Sequence, residues 1–137
     1  MGLILDTGVF VVGERRGLQL PTLLSNLREQ FNEQQMAISV ITIAELTHGI
    51  YRADSPERSQ LRAAFVEAIS DKMTIHDLTP LLAKLVGRIE GEQASIGNTI
   101  AFEDLVIGAT ALSLNFSVLA SNPKHFLRIP DLTVHTL

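Results

Sequence analysis

Leu3-Ile4-Leu5-Asp6-Thr7 is a run of branched aliphatic residues that ends in a carboxylate and a hydroxyl. An unbroken apolar run of this length suits a strand covered on both faces, as in a parallel sheet, better than a strand with one wet face. Similar runs return at Ala37-Ile38-Ser39-Val40, Met73-Thr74-Ile75-His76, Ser117-Val118-Leu119-Ala120 and Leu132-Thr133-Val134-His135. Between them the apolar period lengthens to that of helices. Leu20 to Phe31 carries Leu20, Leu23, Leu24, Leu27 and Phe31 on one face. Thr42 to Tyr51 opens on a capping signal, and Arg58 to Ile69 follows Ser55 and Pro56, with Leu61, Ala64, Phe65, Ala68 and Ile69 facing inward. Thr79-Pro80 opens a helix with Leu82, Leu85, Val86 and Ile89 inward, and Asp104 to Leu114 is apolar nearly all round, as in a buried helix. Gly91 to Thr99 loosens the pattern and reads as a connector. Strand–helix alternation of this kind predicts an α/β fold with a mostly parallel five-stranded sheet flanked by helices, one domain over residues 1–137.

Composition narrows the chemistry. The chain has no cysteine, which excludes disulfides, thiolate metal sites and cysteine nucleophiles. Its four histidines, His48, His76, His125 and His135, lack the spacing of a helical zinc pair and read as surface or half-buried residues. Any resident metal would be held by oxygen, which favours Mg²⁺ or Mn²⁺. A net charge of −4 argues against nucleic-acid binding through a broad basic face, but leaves open an enzyme whose cations meet phosphate. No run approaches membrane-spanning length, and no secretory leader is evident, so a cytoplasmic protein with no membrane partner is expected.

On this scaffold Asp6 follows the first strand, and Glu45 lies in the first turn of the helix after the second. Asp104, beside Glu103, opens the helix that feeds the fourth strand, and Asn122 follows that strand. Helices of a parallel α/β sheet run against the strands, so helix starts and strand ends share one edge, where such sheets bind ligands. Element order alone thus predicts that these side chains meet. Two unit charges about 4 Å apart repel by roughly 4 kcal/mol at an effective dielectric near 20. A divalent cation relieves that repulsion and can activate a water toward a phosphodiester. Each residue also has a structural reading. Asp6 could cap a helix starting at Thr7; Thr42 and Glu45 form a capping-box pattern; Glu103 and Asp104 complement a helix dipole; Asn122-Pro123 opens a turn. Thr7 could orient the carboxylate of Asp6 or a water. Arg15, Arg16, Arg52, Lys124 and Arg128 could touch phosphates or simply be solvated charges, and His48 reads as solvent-facing.

At these positions the chain resembles the PIN-domain family, and within it the VapC-type toxins of bacterial toxin–antitoxin pairs. The resemblance is carried by Leu3 to Thr7, by Ser39 to Leu46 with Gly49, by Ile100 to Asp104 with the following Leu105 to Ala111, and by Val118 to Asn122 with Phe126 and Ile129 to Leu132. It spans the whole chain in the family's order. It implies a PIN-like three-layer fold and an Mg²⁺- or Mn²⁺-dependent endoribonuclease. Asp6, Glu45 and Asp104 would be the catalytic, metal-holding acids, with Asn122, Thr7 and Glu103 in support. It also implies a homodimer inhibited by a cognate antitoxin, DNA being met only through that antitoxin. Three positions depart from the pattern: Asn122 where Asp is frequent, Gly8 where a small polar residue is usual, and His125 where Asp is common. The first implies weaker binding of a second cation.

Other readings compete. A housekeeping RNA-processing nuclease would share the same site. An aspartyl-phosphate enzyme of the haloacid dehalogenase kind wants a second acid at position 8, which is Gly8. A receiver domain would use Asp77 and would need a later lysine, for which only Lys124 is available. A non-catalytic RNA- or antitoxin-binding module is compatible with Gly8 and Asn122.

Overall fold

A computed structural model describes residues 1–32 and 34–137. In chain order the elements are β1 (Gly2–Leu5), α1 (Thr7–Arg15), α2 (Leu20–Gln30), β2 (Gln35–Ser39), α3 (Val40–Tyr51), α4 (Pro56–Lys72), β3 (Thr74–His76), α5 (Pro80–Ser95), α6 (Phe102–Leu114), β4 (Ser117–Ala120), a 3₁₀ turn (Pro123–Phe126) and β5 (Val134–Thr136). The five strands form one sheet in the order β3-β2-β1-β4-β5, every neighbouring pair parallel. The expected fold class is the observed one.

Alternation along the strands builds two cores. Leu3 and Leu5 of β1, Ile38 of β2 and Leu119 of β4 join Val9, Phe10, Leu20, Leu23, Leu27 and Ile69 on one face. Ile4, Ala37, Val118 and Ala120 point the other way, into Val86, Ile89, Leu105, Val106, Ile107 and Phe126. The sheet is the middle layer of three, buried on both faces, which is why its strands read as solid apolar runs. Crossovers between parallel strands are right-handed. The chain therefore lays α1 to α4 on one face while stepping outward from β1 to β3. It must then cover the other face, with α5 and α6, when it returns past β1 to β4. α3 sits at the seam, with Ile41 against one core and Ile43 and Leu46 against the other.

Several boundaries move from the sequence reading. Strand two ends at Ser39, because Val40 already belongs to α3, and strand five is shifted to Val134–Thr136. Thr7–Arg15 is a full helix. α5 continues through Gly91 to Ser95, so the expected connector shrinks to residues 96–101. Buried Gln93 explains the continuation: Asn98 donates from Nδ2 to its Oε1 at 2.8 Å, tying the helix end down despite the glycine. α6 starts at Phe102 rather than Asp104. On α4 the inward face is narrower than expected. Ile69 is fully buried and Phe65 partly so, while Ala64 is exposed and Leu61 is 70% exposed.

Candidate active site

β1 and β4 are neighbours, but the chain leaves β1 toward β2 and reaches β4 only after passing over the other face. The crevice at such a reversal, outside the carboxyl ends of the strands, is where open α/β sheets bind ligands. Asp6 is the first residue beyond β1 and donates its backbone N–H to Leu119 O of β4 at 2.9 Å, so it stands in that crevice. Its side chain is buried to 8% exposure.

α3 brings Glu45 to the same edge by a route the sequence reading missed. Ser39, not Thr42, caps α3, its Oγ accepting from Ile41 N at 3.1 Å. Glu45 is thus in the second turn of α3, and no capping box forms. Thr42 is fully buried inside the helix. Thr7 Oγ1 lies 2.6 Å from Glu45 Oε1 and 3.1 Å from Thr42 Oγ1. A hydroxyl has one proton and a carboxylate only accepts, so Thr7 donates to Glu45 and accepts from Thr42. That relay locks α1 to α3 and aims Glu45.

Asp104, in the first turn of α6, completes the cluster, with exposed Glu103 beside it. Charge couplings register the convergence. Burial, then the charge of Asp104, push the Asp6 carboxyl above its ordinary value. The N–H groups of Thr7 and Gly8 favour its charged form without closing a cap hydrogen bond. Burial also raises Glu45, with Asp6 and Glu103 adding to it and the Thr7 hydrogen bond opposing. Asp104 is raised by burial and by Glu45 and Glu103, while His125 lowers it. The structure therefore brings Asp6, Glu45, Asp104, Glu103 and Thr7 to one edge.

Asn122 stands exposed at the start of the 3₁₀ turn and is linked toward the acids by His125: its Nδ2 is 3.2 Å from His125 Nε2. His125 Nδ1 is 3.8 Å from Asp104 Oδ2. His125 is half-exposed, as expected, and the structure adds that it stands beside Asp104, which only its position among the departures from the family pattern hinted at. Ser121 was missed as well. A β-carbon at position 8 would collide with Ser121 Oγ and stand 3.5 Å from Asp6 Oδ2. The Ser121 hydroxyl thus occupies space that a side chain at position 8 would need. His48 is exposed, as expected, and so are Arg15, Arg16, Arg52, Lys124 and Arg128. A cleft of about 150 Å³ opens alongside, with Thr7 and Glu45 on its wall and Phe10, Leu46 and Phe65 beyond.

The family model described as PIN domain matches residues 3–132. The chain belongs to the PIN-domain family. Within it, the chain is 30% identical over its full length to a protein named Ribonuclease VapC of Rickettsia bellii, covering 97% of that protein. It is 32% identical to a tRNA(fMet)-specific endonuclease VapC of Salmonella typhimurium over 80% of this chain and 82% of that one. Among solved structures, VapBC2 of Rickettsia felis, bound to a DNA fragment from its promoter, superposes with a TM-score of 0.81 at 25% identity, covering 100% of this chain and 99% of that one. The PIN-domain match begins ahead of Asp6 and ends beyond His125, so every candidate site residue lies inside it.

Among the described residues no three His, Asp or Glu side chains are gathered closely enough to enclose a metal ion by themselves. The donor set nonetheless fits a hydrated cation. It is made of oxygen, half-buried, and charged against itself. Magnesium keeps several waters and needs only one or two carboxylates from the protein.

Proposed function

We propose that this PIN-domain chain is a metal-dependent endoribonuclease that acts as the toxin of a toxin–antitoxin pair, with Asp6, Glu45 and Asp104 holding Mg²⁺ or Mn²⁺. The observation that carries the reading is three carboxylates, from the residue after β1, from α3 and from α6, buried or half-buried and facing one another's charge at the sheet's switch point. When bound, the cation supplies positive charge for the scissile phosphate and lowers the pKa of an attacking water. The chain's own groups do the rest. Asp6 and Asp104 would fix the cation's position, one just beyond buried β1 and the other in the first turn of α6, which is buried from Leu105 to Ala111. Thr7 and Thr42 hold Glu45 in one orientation. The N-termini of α1 and α6 open on the same edge and favour an anion there. With a net charge of −4, affinity for RNA is concentrated at the site rather than spread over the surface.

The same reading extends to partners. A groove between α2 and α4, lined by Leu18, Leu20, Leu61, Phe65 and Ala68, is the surface we assign to the antitoxin, and DNA contact to the antitoxin's own domain. The chain works as one domain and as a homodimer. Among the described residues no helix is long and apolar enough to cross a membrane, and we place the activity in the cytoplasm. The direct test is cleavage of RNA, initiator tRNA included, by wild type and by Asp6→Ala, Glu45→Ala and Asp104→Ala, with Mn²⁺ and with chelator. The reading expects cleavage by wild type with metal alone and loss of at least about a hundredfold in each variant. Metal-independent cleavage, or variants that cut like wild type, would overturn it.

A further inference from the structure

Asn122 and His125 contact each other, Nδ2 to Nε2 at 3.2 Å. The 3₁₀ turn that carries them is anchored by Phe126, fully buried, and Ile129, 3% exposed, in the core beneath α6. Ile129 Cδ1 lies against the bare backbone of Gly108, so the turn is docked on the helix that presents Asp104. His125 itself is half-exposed and leans over Asp104, whose side chain is 18% exposed.

The proton on the imidazole follows from its neighbours. Asp104 Oδ2, 3.8 Å from Nδ1, can only accept, so the neutral ring that suits it carries its N–H on Nδ1. Nε2 is then an acceptor, and Asn122 must turn its NH₂ toward it, the 3.2 Å contact observed. An Asn122 amide donating to Nε2 is compatible with the tautomer that suits Asp104. At 3.8 Å the Nδ1–Oδ2 contact is longer than a hydrogen bond. An exposed ring can close that gap by a small swing, and contacts of this kind tighten once the ligand is present.

We propose that His125, oriented by Asn122, is a positioning residue for Asp104: its Nδ1–H engages Oδ2 and leaves the other carboxylate oxygen to face the cation. This rests on the metal-site reading above. Ligating carboxylates are themselves held by a second ring of hydrogen bonds, whose loss weakens metal binding about 10–100-fold. An asparagine at position 125 would place its amide N–H about where Nδ1 stands, whereas a glutamine would reach toward the Nε2 position.

The test is calorimetric titration of MnCl₂ into wild type, His125→Ala, His125→Asn, His125→Gln, Asn122→Ala and the His125→Ala/Asn122→Ala double variant, each checked for native circular dichroism. Half-exposed His125 is not a packing residue, so folding is not at risk. The expected result is Mn²⁺ affinity about tenfold weaker in His125→Ala and His125→Gln, and within about threefold of wild type in His125→Asn. Asn122→Ala should add nothing in the double variant, because Asn122 acts only through His125. Kinetics at saturating Mn²⁺ should leave the KM for RNA unchanged. Wild-type affinity in His125→Ala overturns the proposal, as does rescue by Gln equal to that by Asn, or failure of Asn as complete as that of Ala. Wild type that binds no Mn²⁺ sinks the metal-site reading itself, a different and recognisable outcome.

Discussion

Asp6 shows how a single side chain can trade stability for chemistry. Its carboxyl is raised above an ordinary value of 3.8 by burial and by Asp104. A group that binds its proton more tightly when folded adds stability at low pH. That stability is lost as pH rises from the unfolded value through the raised folded one. At neutral pH and without metal, Asp6, Glu45 and Asp104 all act in this direction. Asp6→Asn should therefore raise the melting temperature at pH 7 in chelator by roughly 2–5 °C, the effect of about 1 kcal/mol in a chain this size. The gain should shrink toward pH 4. A drop at pH 7, measured by thermal denaturation, would contradict the electrostatic account. Gly8 poses a different question. Alanine in a helix is usually favoured over glycine by about 1 kcal/mol. Here its methyl would strike Ser121 Oγ, the tip of an exposed side chain that can rotate away. Gly8→Ala should keep its stability within about 1 kcal/mol of wild type, yet lose about tenfold in cleavage, because the new methyl stands 3.5 Å from Asp6 Oδ2 and crowds the pocket.

At the scale of elements, the site depends on α1 and α3 staying in register. Thr7, Thr42 and Glu45 join them at one end. At the other end, Arg62 of α4 donates from Nε to Glu14 Oε1 of α1 at 2.9 Å and from an Nη to Gly49 O of α3 at 2.7 Å. Both partners in the ion pair are about a quarter exposed, 26% and 27%. This is one guanidinium serving two helices, in a fixed fork that lysine lacks. Arg62→Met should cost about 1–3 kcal/mol in chemical denaturation, because Glu14 and the Gly49 carbonyl lose their partner. Arg62→Lys should recover only part of that. A cost near zero would mean that the helices are held by packing alone. The elements also mark the limits of reading a sequence. α2, α5 and α6 were legible from apolar period. The start of α3 was not, because two residues, Ser39 and Thr42, both carried capping chemistry and only backbone geometry chose between them.

At the scale of the whole molecule, metal binding and folding are linked. The folded state gathers the carboxylates and the unfolded chain scatters them, so a cation that binds the former stabilises it. At a hundred times its Kd a ligand contributes about 2.7 kcal/mol. Saturating Mn²⁺ should raise the wild-type melting temperature by several degrees. It should leave the Asp6→Asn/Asp104→Asn variant nearly unmoved, as differential scanning fluorimetry would show. An equal shift in both proteins would place the ion elsewhere.

The amino-acid sequence alone determined the α/β class, the parallel sheet and the edge at which Asp6, Glu45 and Asp104 would gather. All three follow from the local period of apolar residues and from the alternation of strand and helix. It could not determine the strand order that sets Asp6 at the reversal between β1 and β4. Nor could it reveal Thr7 bridging Thr42 and Glu45, Ser121 in the space beside Gly8, or His125 over Asp104. Those are contacts between residues far apart in the chain or on turns without periodicity. They exist only once two cores have closed on the sheet and fixed which loops face one another.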